Sequence, residues 1–355
     1  MATPNTARRI IWPTDPTILV RAVFLYVGQG SSTLILVKNG ITYDTWVIDI
    51  NLDRKNGGID VPLLVKDLVN GDKIRAFLNT HPHDDHMCGV TQLSDVVAID
   101  EVLHSGHKPS KKYGSCFDEL QAVIKKVKKN GGTETVLLGS NSSEATGEAE
   151  FHILSPADYV TDEVNEAEAD ERRRRIHEQC SVVKFGKGDD WIIVTGDADR
   201  AAFENHITKY HKENLPSFAM AASHHGSRTF FRENEEDDPY LTALQIIDPE
   251  CVFVSAPTQE ESKHGHPHDD AIELYEDQVG EDNVHHMGAE RYSFIIDIYT
   301  GGGHSGVTHD DGDLSTDYGL SDEDDGDSGE KSNSAAGPFQ RPQSQTGDRT
   351  PRKYG

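Results

Sequence analysis

The stretch LNTHPHDDHMCGV, Leu78 to Val90, places His81, His83 and His86 within six residues, with Asp84 and Asp85 between them. Imidazole and carboxylate donors at such density suit zinc, manganese or iron better than calcium or magnesium. The preceding IRAFLNT reads as a buried strand that delivers the chain to His81. A loop leaving a strand end turns His81 and His83 toward one metal, while Asp85 and His86, a step further on, reach a second. Two divalent ions about 3.5–4 Å apart activate a water and neutralise charge developing on a phosphoryl or carbonyl oxygen.

Six residues do not complete two coordination shells, so further ligands are expected at other strand ends. Asp197 in IIVTGDAD follows an apolar run, and Gly196 before it lets the backbone come close. A carboxylate there is placed to bridge two metals. His224 and His225 in AMAASHHGS end another apolar run, and His266 in KHGHPHDD follows CVFVSAP. Functional groups on loops held by a sheet are the usual construction of a site.

These residues resemble a known family. THPHDDH fits the H-x-H-x-D-H signature of the metallo-β-lactamase superfamily, and Asp49 in WVIDI resembles its early strand-end aspartate. VGQGSSTLI, THPHDDHMCG, SVVKFGKGDDWIIVTGDAD, SHHGS and HGHPH further resemble, in order, the hydrolase domain of ComEC-type competence proteins and their soluble relatives, over about residues 20–297. The resemblance implies an αββα sandwich, two mixed β-sheets flanked by helices, with a dinuclear site at one edge. It implies His81 and His83 on one metal, Asp85 and His86 on the other, and Asp197 bridging. One of His224 and His225 completes a shell. His266 faces the substrate as an acid or oxyanion stabiliser, Asp85 shares in the catalytic centre, and Asp49 orients a ligand histidine. Zinc is the expected metal, with manganese the alternative. The chain departs from the pattern at Tyr26 and Ser31, where relatives carry aspartates, at Cys88 and at His264. The separate third-motif histidine is missing from its expected place; His104, His107 and His152 are the alternatives considered, each more readily read as structural.

Composition bounds the rest. Thirty-four Lys and Arg against 61 Asp and Glu give a formal charge of -27, which repels polyanions at long range. Cys88, Cys116, Cys180 and Cys251 lie far apart with no C-x-x-C pair, which argues against a thiolate zinc site and suits a reducing, cytoplasmic setting. No apolar run approaches the roughly 18 residues of a membrane span. The expected organisation is an N-terminal extension over 1–17, a hydrolase domain over 18–300 that closes with RYSFIIDIY, and a disordered Gly/Ser/Asp-rich tail over 301–355, suited to binding a partner protein. ADRAAFENHITKY is expected as a helix with Phe203, Ile207 and Tyr210 on one face.

The expected reaction is phosphodiester hydrolysis. Nucleic acid is a possible partner through Lys108–Lys129, where seven lysines face Asp118 and Glu119. Against a nuclease stand the acidic run ENEEDD (233–238) and the lack of aromatic residues interleaved with basic ones. The alternatives are a hydrolase of a small ester, lactone or thioester, and a non-catalytic metal-binding interaction protein.

Overall fold

The computed structural model describes residues 4–109 and 115–321. Its strands are β1 (Ile18–Phe24), β2 (Thr33–Asn39), β3 (Thr42–Ile48), β4 (Ala76–Asn79), β5 (Glu101–His104), β6 (Thr133–Val136), β7 (Glu144–Thr146), β8 (Ala149–Ser155), β9 (Val182–Lys187), β10 (Asp190–Val194), β11 (Ala219–Ala221), β12 (Cys251–Val254), β13 (Val284–His286), β14 (Phe294–Tyr299) and β15 (Thr308–His309). They form two sheets, ordered β15-β14-β1-β2-β3-β4-β5-β6 and β13-β12-β11-β10-β9-β8-β7. Each is mixed. The first runs antiparallel from β15 to β3 and parallel from β3 to β6. The second is parallel from β10 to β13 and antiparallel from β7 to β10.

The period-2 alternation of strands sorts their side chains into three cores. Ala22 and Phe24 of β1 face the other sheet, while Val23 packs under helices. In β10, Ile192 and Val194 face the first sheet and Ile193 faces the outer helices. The inter-sheet core is closed by Phe24 stacked on Phe253 at 4.1 Å and by Trp46 against Phe151 and Phe185. Removing a buried aromatic of this kind typically costs about 3–5 kcal/mol. The helices Val61–Val69, Val90–Val96 and Ser115–Lys129 cover the first sheet, and Thr242–Ile247 and Asp269–Val279 cover the second.

Local signals account for several boundaries. Asp60 accepts from Leu63 N–H, Pro62 sits in the first turn of Val61–Val69, and Asn70 ends the helix in the left-handed conformation. Three expectations need correction. Tyr210 is 54% exposed, because a π-turn over Phe203–Ile207 shifts the helix phase after Ile207. The ordered chain passes residue 300: β15 pairs with β14, and the helix Asp313–Tyr318 buries Leu314 and Tyr318 against the first layer. Residues 322–355 of the expected tail lie outside the described residues. Cys88 and Cys116 are joined in a disulfide 28 residues apart in sequence, while Cys180 and Cys251 are buried free thiols.

Candidate metal centre

Parallel strands of both sheets deliver their C-terminal ends to one edge, the usual location of a site in such sheets. Just beyond its last residue β3 leads to Asp49, β4 to Thr80 and His81, β10 to Asp197 and β11 to His224 and His225, and the loop after β12 carries His266. These apolar strands place polar side chains where the sheets stop. The residues expected from sequence converge there although they are up to 217 positions apart, from Asp49 to His266.

Two ligand groups share one carboxylate. His81, His83, His177 and Asp197 form the first, and Asp85, His86 and His225 the second. Asp197 Oδ1 lies 3.1 Å from His86 Nε2 and 3.4 Å from His225 Nε2. Its Oδ2 lies 3.4 Å from His81 Nε2 and 3.8 Å from His177 Nε2. Asp85 Oδ2 approaches His225 Nε2 at 3.5 Å, whereas Asp84 is exposed. Of the histidine pair, His225 falls in the second group. His224 stands beside Asp197 Oδ2 at 3.6 Å and packs its ring on that of His177.

Second contacts aim these rings. Asp49 accepts from Thr80 N–H at 2.7 Å, from Thr80 Oγ1 at 2.6 Å and from His86 Nδ1 at 2.7 Å. His225 Nδ1 donates to Ser255 O at 2.8 Å. With both Nδ1 atoms committed as donors, the neutral rings present bare Nε2 lone pairs to one another at 3.1 Å. In the first group His83 Nδ1 lies 2.9 Å from His81 Nε2 and 3.3 Å from His177 Nε2, and Asp197 Oδ1 is buried without a hydrogen-bond donor. Ring nitrogens and carboxylate oxygens that converge this closely, with few hydrogens to share among them, form a donor set that fits divalent metal.

Where no cation sits, the electrostatics put a proton in the same place. Burial works against a charged His86, yet the carboxylates of Asp197 and Asp49 outweigh it and hold its pKa well above the ordinary value. Burial works against ionised Asp197 too, but His86, His225, His224 and His81 keep its carboxyl well below the usual range. Burial keeps His81 and His224 neutral, and His177 is pushed down to about 3 by the same cause.

Sharp turns make the approach possible. A Cβ at Gly196, where φ is +50°, would come within 2.7 Å of Cys180 Sγ and Thr80 Oγ1. His224 and His225 are both left-handed, with φ of 49° and 58°, a strained arrangement for side-chain-bearing residues. It is held by His224 N–H to Gly196 O and by Ser223 Oγ to Ala198 O.

His177 is the residue that sequence reading missed. It follows the short helix Ala169–Arg174 and enters the site ahead of β9, whereas the search looked for histidines after apolar strands. The only sequence signal was a histidine a few residues before the apolar start of a strand. The charged segment around it serves as a mount: Arg175 pairs with Glu178 and Glu163, and Gln179 accepts from His107 Nδ1 at 2.7 Å. His104 and His152 belong to neither group, contacting Glu134 and Ser140 O instead.

A cavity of about 640 Å³ opens over the centre. It is lined by Gln29, Asn51 and Asp53 on one side, by His83, Asp85, Asp197, His224 and His225 below, and by Lys263, His264 and His266 on the other. Burial holds His266 at about 4, so it is neutral at physiological pH.

No protein-family model and no curated protein matches the chain. Among solved structures it is similar to the metallo-β-lactamase fold protein YhfI from Bacillus subtilis, at 10% identity over 75% of this chain and 95% of that one, with a TM-score of 0.39. It is similar to a diphosphatase from the PhnP family, at 11% identity over 75% and 94%, with a TM-score of 0.38. It is also similar to unliganded yeast PDE1, at 10% identity over 76% and 97%, with a TM-score of 0.42. The strand order, the two helical layers and the histidine-lined edge make this chain an αββα sandwich of the metallo-β-lactamase fold.

Proposed function

We propose that the protein is a divalent-metal-dependent hydrolase with a dinuclear centre, and that its substrate is a phosphodiester. The observation that carries the reading is Asp197, whose two oxygens face different histidine groups. In this reading His81, His83 and His177 hold one metal, Asp85, His86 and His225 the other, and Asp197 both. Zinc suits these nitrogen and carboxylate donors, with manganese the alternative. Bound metal supplies an acidified water and neutralises charge that builds on the phosphoryl oxygens.

The chain's own groups do the remainder. Asp49 fixes the His86 tautomer and Ser255 O that of His225, while Thr229 Oγ1 holds the His224 ring in place through its Nδ1 at 2.7 Å. Neutral His266 donates a hydrogen bond to the developing oxyanion. Lys263 at the rim offsets the negative charge of the arriving ester.

A small phosphodiester is favoured over a polynucleotide. Among the described lysines of Lys108–Lys129, none lines the cavity. Lys126 pairs with Asp95 and Lys128 with Glu134. The test uses protein loaded with zinc or manganese, its metal content measured, and given bis-p-nitrophenyl phosphate, then single- and double-stranded DNA. About two metal equivalents and turnover of the small ester are expected. Turnover of a lactone or thioester with none of the phosphodiester would defeat the assignment of substrate, and a preparation that takes up no metal would defeat the whole reading.

A further inference from the structure

The Cys88–Cys116 bond joins the metal loop to the helix Ser115–Lys129. Cys88 closes the short helix Asp84–Met87, its N–H donating to Asp84 O at 2.9 Å, and Cys116 stands in the first turn of the longer helix. Residues four apart on a helix share a face, so Asp84 and Cys88 project together. A carboxylate oxygen of Asp84 and the two sulfurs all lie within 4.8 Å of one another. The sequence has no C-x-x-C pair, but one helical turn and a residue 28 positions away supply the same donors in space.

Neither side of this cluster depends on the S–S bond for its place. The metal loop is held by Ser31 N–H on Asp85 O at 3.2 Å, and by Ile50 N–H and Asn79 Nδ2 on His86 O, both at 3.1 Å. The helix is held by Leu120, Val123, Ile124 and Val127, all buried in the core, and by Lys126 on Asp95. Reduction therefore leaves two thiols and a carboxylate together, with the cysteine Cα atoms 5.2 Å apart. Zinc binds each thiolate at about 2.3 Å, which side chains rooted at that separation reach. Thiolates favour zinc over calcium or magnesium, and water fills the fourth position of a three-ligand zinc. Cys88 is half-buried and Asp84 exposed, so both reductant and metal have access, whereas Cys180 and Cys251 are buried.

We propose that Cys88, Cys116 and Asp84 form a separate zinc site that opens when the Cys88–Cys116 bond is reduced. The S–S bond accepts two electrons and two protons from a dithiol, which becomes a disulfide in turn. The two cysteine thiols then give up their protons as zinc binds. Zinc ties the metal loop to the helix as the S–S bond did, so the tether outlasts the bond in reducing surroundings. The site depends neither on the substrate nor on how many ions the main centre holds.

The test compares full-length wild type, Asp84→Asn and a Cys88→Ser/Cys116→Ser double variant, each with and without a phosphine reductant, which is oxidised to its oxide as the S–S bond takes up its electrons. Thiol titration of denatured wild type should report two thiols before reduction and four after. Zinc content and chelator competition are then measured, and cobalt is substituted for zinc to read the near-ultraviolet thiolate-to-metal absorption. Reduced wild type should hold one zinc equivalent more than oxidised wild type, show the thiolate–cobalt band, and regain on zinc addition part of the urea resistance lost with the S–S bond. The double variant should show none of these changes. Asp84→Asn should keep the band while the added zinc binds at least about 10-fold more weakly, since even a contact behind a ligand is worth that much. No added equivalent or no band in reduced wild type overturns the proposal, as does an added equivalent that survives in the double variant. Circular dichroism showing reduced wild type unfolded, with no recovery on zinc addition, overturns it too. Unchanged zinc affinity in Asp84→Asn overturns the three-donor site, and urea resistance that zinc does not restore overturns the tether.

Discussion

Replacing Asp49 by asparagine exchanges one carboxylate oxygen for an NH2 group and leaves the shape of the side chain unchanged. In the structure one oxygen serves Thr80 N–H and the Asn79 amide, and the other serves Thr80 Oγ1 and His86 Nδ1. An asparagine keeps its oxygen on the Thr80 N–H side, so its NH2 meets His86 Nδ1. That nitrogen must then accept, and the ring proton moves to Nε2, the atom that faces Asp197 and His225. A ligand histidine carrying its proton on the metal-facing nitrogen binds poorly. Loss of such a supporting contact typically costs 10- to 100-fold in metal affinity, about 1.4–2.7 kcal/mol. Chelator competition that resolves two binding steps provides the assay. The step assigned to Asp85, His86 and His225 should weaken by that factor, with the His81–His83–His177 step affected less. Equal weakening of both steps, or no change in either, would refute the tautomer argument.

Other consequences follow from the same coordinates. His177→Ala should release one metal equivalent and lower turnover by at least about 100-fold, as the loss of a metal ligand does, whereas His152→Ala should retain both; metal analysis of the two variants decides. Reducing the Cys88–Cys116 bond, or making both residues serine, reopens a loop of 28 residues, for which chain entropy gives a loss of about 3.5 kcal/mol in unfolding free energy; urea denaturation with and without dithiothreitol measures it. Burial lowers the Lys184 ammonium to about 7, below its value of roughly 10.4 in an unfolded chain. Unfolding therefore takes up a proton between those values, and this group makes stability rise with pH across that window. Lys184→Met should flatten that rise when urea denaturation is compared at the two ends of the window.

The candidate site was legible wherever a possible donor followed an apolar strand, because such a strand must end at a sheet edge and the residues after it project there. That logic found His81, His83, Asp85, His86, Asp197, the His224–His225 pair and His266, and the structure brings all of them to one edge. It failed for His177, which is mounted by ion pairs of a charged segment rather than by hydrophobic register. It failed again for Cys88 and Cys116, whose pairing depends on the helix Ser115–Lys129 lying across the metal loop. The boundary expected at 300 came from composition; β15 and the helix Asp313–Tyr318 hold beyond it because a few apolar residues there meet a waiting surface.

By itself, then, the sequence determined the chemistry, since THPHDDH with Asp197 has donors for metal and little else, while the layers came from its resemblance to the metallo-β-lactamase superfamily. Which donors fall into which candidate group was decided only in three dimensions. His225 rather than His224 joins Asp85 and His86 because two left-handed residues turn one ring inward and the other toward His177. Asp197 faces both groups because β10 ends between them. Tautomers were likewise out of reach of the sequence, since they depend on Asp49 and Ser255, residues brought to the rings by folding. A side chain's type is local, but the direction of its lone pair is a property of everything packed around it.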